Sequence, residues 1–165
     1  MRALAAAGRF PTGPGFTVVL VAHVAAVLIA VIALVAGGVS AARVLTARGE
    51  LPSSVRSYFS PGVNWTGRLF YLVPVFGAAL LAMSGGMHEL GAAWVGWGIG
   101  LWAAATALAE GFLWPAERRV QRGLAAPDDW ALQAAVRGAC RTICATTAGV
   151  LVLIVAAMVV MVAKP

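Results

Sequence analysis

His23 is an imidazole inside an apolar run, "TVVLVAHVAAVLIAV", residues 17–31. A polar ring at membrane depth is costly, so it is a functional candidate by default. His88 and Glu89 in "SGGMHEL" and Glu110 in "ALAEGFLW" complete the set. Paired histidines can ligate a haem iron, and imidazole with methionine sulfur suits copper. Met83 and Met87 stand near His88 and Glu89 in the chain. An intramembrane carboxylate such as Glu110 can relay protons when a partner lies at its depth.

Each chemical reading has a plainer counterpart. A neutral His23 can bond to a neighbouring helix or a backbone carbonyl. Methionine in an apolar helix is usually a gap filler. Glu110 lies about one turn from a helix end, where Arg68, Arg118, Arg119 or a hydroxyl can partner it. The plainer readings are preferred. His23 lies roughly 10 Å inside its run, whereas His88 falls at or beyond the end of another, an offset of roughly two helical turns. Cys140 and Cys144 fall one turn apart on one helix face, a poor disulfide geometry and an incomplete zinc set. The chain has no nucleophile motif, metalloprotease motif, phosphate-binding glycine loop or acid cluster for magnesium. The expectation is a protein that is not an enzyme. It carries no cofactor, the alternative being haem or copper on His23, with His88 and Glu89 as further metal ligands.

These groups need elements to position them. Of 165 residues, 61% are hydrophobic and 11% charged, against roughly 25% charged in a soluble domain. So much apolar surface cannot hide inside a small globule, so the solvent is partly lipid. Four stretches, about 16–42, 68–86, 92–114 and 142–163, reach the length of a spanning helix. None alternates with the period of a strand, and helices satisfy their own backbone in lipid. The run that begins at Phe16 is too long for a signal-peptide core, so it reads as a retained anchor.

Basic residues set the orientation. Arg43, Arg48, Arg56, Arg68, Arg118, Arg119, Arg122, Arg137 and Arg141 fall between the first and second or third and fourth runs; Arg2, Arg9 and Lys164 fall on the other side. Nine against three places the first and third loops in the cytoplasm and both termini outside. A short surface helix is expected around "PSSVRSYF". A further helix, capped by Asp128 or Asp129, is expected to run into the fourth span. The expected fold is all-α: one membrane domain over 1–165, a four-transmembrane-helix bundle with both ends outside and short cytoplasmic surface helices. Ala92, Gly96, Gly100 and Ala104 recur every fourth position and let helices approach closely. Packing within the bundle is the preferred reading of this row, and a docking face for a partner helix the other. A nucleic-acid partner would need a solvated basic face with interleaved aromatics, which is missing. A channel or transporter is disfavoured, because there is no inverted repeat or pair of broken helices.

The pattern "VAHVAAVLIAVIALVAGGVSAARVL", then "LVPVFGAALLAMSGG", then "LWPAERRVQRGL" resembles a bacterial family of small four-span predicted integral membrane proteins. The Ala, Gly, Val and Arg bias looks actinobacterial. In size and style the chain is similar to accessory subunits of the cytochrome bcc–oxidase supercomplex. The resemblance covers about 110 residues, and the family's function is unknown, so it brings no activity. It implies a multi-pass protein of the bacterial plasma membrane. The likeness in size and style to accessory subunits, rather than the family pattern, implies as partners lipid and the proteins of a larger, respiratory membrane complex, in which the chain would be a non-catalytic accessory or assembly subunit. The proline-bearing N-terminus and the long first loop depart from the family pattern.

Overall fold

The computed structural model describes residues 13–84 and 91–163. Their regular elements are all helical: α1 (Pro14–Thr46), α2 (Ser53–Tyr58), α3 (Trp65–Arg68), α4 (Leu72–Met83), α5 (Ala93–Leu108), α6 (Trp114–Ala125) and α7 (Trp130–Ala163). A 3-10 turn, Leu69–Tyr71, joins α3 to α4, and a π-helical turn, Ala109–Leu113, joins α5 to α6.

Three stretches are long and apolar enough to cross a membrane: Pro14–Thr46, Trp65–Met83 and Trp130–Ala163. This is a helical membrane protein by length and composition. The expected third run differs from the other three. Its α5 has 16 residues, fewer than the about 20 a crossing helix needs alone. The helical path nonetheless continues through the π turn into α6.

Lipid tails are as apolar as leucine, so helices associate through close packing and hydrogen bonds rather than by escaping water. On α1, Ala26, Ala30, Ala33, Gly37 and Ala41 are buried at steps of three and four, giving a smooth face. On α7, Val136, Ala139, Cys140, Ile143, Thr147 and Val150 form the matching buried row. The two helices run antiparallel and close. A Cβ placed at Gly38 would stand 3.2 Å from Thr147 Cγ2, and Cys144 Sγ donates to the Gly38 carbonyl at 3.6 Å. α7 also carries α5 and α6, so it is the hub of the fold. α4 packs on α1 instead and buries none of its own residues.

At the arginine-rich end the short helices close the bundle. α2 lies on the surface, with Ser53, Ser54, Arg56 and Ser57 exposed, and it turns Val55, with Phe59 just beyond its end, into the core. The reason is local: Val55, Tyr58 and Phe59 fall at helical spacing three and four, so one apolar edge faces inward. α6 folds back along α7 and buries Ala116, Glu117 and Val120. Asp129 starts α7: its Oδ1 accepts from the N–H groups of Ala131 at 3.0 Å and Leu132 at 3.1 Å. That bond satisfies free N-terminal donors and fixes where the helix begins.

Candidate functional site

His23 points across α1 toward the first turns of α4. Its Nδ1 lies 3.0 Å from the Val73 carbonyl oxygen. A carbonyl only accepts, so Nδ1 carries the hydrogen and donates; in the neutral ring Nε2 is then a bare acceptor. The ring lies over Gly77, where a Cβ would stand 3.6 Å from His23 Cε1. Pro74 has no N–H to give the Phe70 carbonyl one turn back. The indole Nε1 of Trp102 donates to that carbonyl instead, at 3.5 Å, and the Phe70 and Trp102 rings stack with centroids 5.9 Å apart.

These residues line a cleft of about 470 Å³ bounded by α1, α4, α5 and α7. The cleft follows from the packing. α4 leans on α1 and α5 leans on α7, while α4 and α5 meet at most at isolated points. Phe70 and Trp102 close its floor, and Met158 and Met161 lie toward the other end. His23 is the ionisable group in a wall that is otherwise almost wholly apolar.

A second polar group sits at the arginine-rich end. Asn64 Nδ2 donates to Tyr58 Oη at 3.0 Å and to Glu117 Oε1 at 3.3 Å, while its Oδ1 accepts from the Gly67 N–H at 3.2 Å. The Tyr58 hydroxyl in turn bonds to Glu117. Glu117 is only 7% exposed. Burial pushes its carboxyl above the usual range, and the bonds from Asn64 and Tyr58 offset part of that. Burial and then the Glu117 charge push the Tyr58 phenol up. Beside this group, Tyr71 donates to Glu110 and accepts from Trp114 Nε1 at 3.2 Å; the Arg68 guanidinium lies 5.8 Å from the Trp114 ring centroid.

The residues singled out by sequence separate into different places. His23 lines the cleft. Glu110 sits in the π turn, exposed, with the Tyr71 hydroxyl as its partner. His88, Glu89 and Met87 lie outside the described residues. Met83 lies beside Gly15, where a Cβ would meet Met83 Cε at 3.4 Å. That is eight residues, roughly 12 Å, along α1 from His23. Among the described residues no three His, Cys, Asp or Glu groups converge as for a metal.

The α5 row does not pack inside the bundle, contrary to the preferred reading. Gly96, Gly100 and Ala104 are exposed, and nothing lies within 4 Å of a Cβ placed at either glycine. At 100° per residue the row falls opposite the α5 face that lines the cleft. The α5 glycine that packs is Gly98, whose Cβ would meet Met161 Cε at 2.9 Å. Sequence reasoning missed Glu117, although Leu113, Val120 and Leu124 share its helical face. It also missed Tyr58, Asn64 and Thr147.

No family model, no curated protein and no solved structure matches the chain.

Proposed function

We propose that this chain is a four-span protein of the bacterial plasma membrane and a non-catalytic accessory or assembly subunit of a larger membrane complex. The observation that carries the reading is the outward row on α5. Gly96, Gly100 and Ala104 present a smooth exposed stripe that no helix of the chain covers among the described residues. Close backbone approach along such a stripe is how helices associate in lipid. The same stripe facing lipid alone would gain nothing from being small.

The fourth crossing is α5 extended by its π turn: 16 residues and then five, together roughly 30 Å of helix. The arginine distribution supports both ends outside. A respiratory complex is suggested by the chain's likeness in size and style to accessory subunits of the cytochrome bcc–oxidase supercomplex, and an actinobacterial source by its Ala, Gly, Val and Arg bias.

The test is co-purification from native membranes after mild solubilisation. The tagged chain is expected to bring stoichiometric membrane subunits with it. Gly100→Leu is expected to release them while α-helical content stays the same. A chain that purifies alone, with and without the substitution, counts against the reading.

A second reading has one specific observation behind it. Histidines that bind metal usually donate their other ring N–H to a carbonyl or carboxylate, as His23 does to Val73. His23 Nε2 would then ligate haem iron or copper. An absorption spectrum and metal analysis of the purified protein separate this reading from the first.

A further inference from the structure

We infer that the cleft between α4 and α5 binds a membrane-soluble hydroxylated aromatic molecule, of the quinol or phenol class, whose O–H donates to His23 Nε2. The inference rests on the reading that these helices cross a membrane.

Size is the first argument. A cleft of about 470 Å³ falls within the range of small-molecule sites, roughly 300–1,000 Å³, which are mostly apolar with a few placed polar groups. The walls fit that description, with His23 as the polar group.

The proton inventory is the second argument. The Nδ1 hydrogen of His23 is spent on the Val73 carbonyl. Nε2 therefore accepts, and it has no hydrogen-bond partner among the described residues. In apolar surroundings an unmet acceptor is unfavourable. A plain acyl chain would leave it unmet. A charged headgroup would find no countercharge in these walls. A quinone without its hydrogens would set acceptor against acceptor. A hydroxyl on an apolar body meets all three conditions.

Shape and access are the third argument. Phe70 and Trp102 stack on each other, so Phe70 is buried and the Trp102 indole is the flat aromatic surface at this end of the cleft. Aromatic rings pair by offset stacking or edge contact, which favours a ring as the ligand body. α4 and α5 hardly touch, so the opening is sideways, through the gap between two apolar helices. A ligand enters from the lipid phase rather than from water.

The experiment uses the full chain in nanodiscs under reducing conditions. Quenching of tryptophan fluorescence follows titration with decyl-hydroquinone, its dimethyl ether and farnesol. Trp94 and Trp102 line the cleft and report occupancy. Decyl-hydroquinone is expected to bind saturably, and the dimethyl ether about tenfold more weakly, the size of one lost hydrogen bond. His23→Phe is expected to bring the two affinities together. If that variant fails to fold, imidazole 15N spectra of the unaltered chain take its place: the Nε2 resonance should shift with the hydroquinone and not with the ether.

Equal affinity for the hydroquinone and its ether in the unaltered chain would overturn the inference, as would the absence of saturable binding. Farnesol binding as tightly as the hydroquinone would overturn the aromatic assignment. Haem or copper held through His23 would assign Nε2 to a metal and overturn it too. Each result is independent of whether partner subunits co-purify, so this proposal and the accessory-subunit reading can fail separately.

Discussion

The hydroxyl of Tyr58 occupies the space that a side chain at residue 37 would need: a Cβ at Gly37 would stand 2.5 Å from Tyr58 Oη. The absence of a side chain on α1 is thus what admits the α2 tyrosine to the Asn64–Glu117 group. Gly37→Ala is expected to destabilise the fold by about 1–3 kcal/mol, the usual range for overpacking. In a Tyr58→Ala background the same change should cost much less, because the clash is gone. Thermal unfolding of the four proteins in detergent forms the double-mutant cycle. Additive effects would contradict the contact.

Gly123 is tighter still. A Cβ there would collide with Val136 Cγ2 and stand 3.1 Å from the Leu132 carbonyl oxygen. The first obstacle is a β-branched side chain with little rotamer freedom, and the second is backbone. Gly123→Ala should therefore separate α6 from α7 and destabilise more than Gly37→Ala. Adding Val136→Ala should recover part of the loss, and the order of the three melting temperatures checks it.

Glu117 makes stability depend on pH in a defined direction. Its carboxyl is raised above its ordinary value of 4.5 mainly by burial. The folded state therefore holds the proton more tightly than the unfolded chain does. The stabilisation from this group is complete below about pH 4.5 and is lost as pH rises through the folded value. Glu117→Gln keeps an acceptor for Asn64 and removes the titration. The variant should gain stability relative to the parent above pH 4.5 and run parallel to it below. Melting temperatures between pH 4 and 8 that keep a constant offset would falsify this assignment.

Thr147 is 5% exposed, and its hydroxyl has no partner among the described residues. Thr147→Val keeps the shape and removes the unpaired group. An unsatisfied buried hydroxyl costs about 1–3 kcal/mol, so the variant is expected to be at least as stable as the parent. A clear drop in melting temperature would mean that the hydroxyl has a partner, such as an internal water.

Much of the architecture is legible in the sequence because it rests on local signals. The apolar runs of α1 and α7, the arginines that flank them and the Asp129 cap act within one element. What is not legible depends on how elements meet. The His23 acceptor is a backbone oxygen of Val73, which leaves no trace in residue type. The cleft exists because α4 and α5 chose different neighbours, a property of no single segment. Glu117 sits in "PAERR", where flanking arginines give the look of a solvated loop; only its helical phase with Val120 and Leu124 marks it as inward. The α5 row looked like packing because small residues serve that purpose, and periodicity alone does not say which way a helix faces.

The wide turn at 109–113, closed by the Trp114 N–H on the Ala109 carbonyl, gives the α5–α6 path one residue of slack. A regular helix there would need one residue fewer to keep Ala105 and Val120 on their present faces. Losing a single residue from this turn should therefore leave the helices on either side in phase, whereas the same deletion in mid-α5 or mid-α6 would rotate everything after it by about 100°. Length variation among descendants of this chain should then collect at Ala109–Leu113, inside a helix, rather than only in the loops.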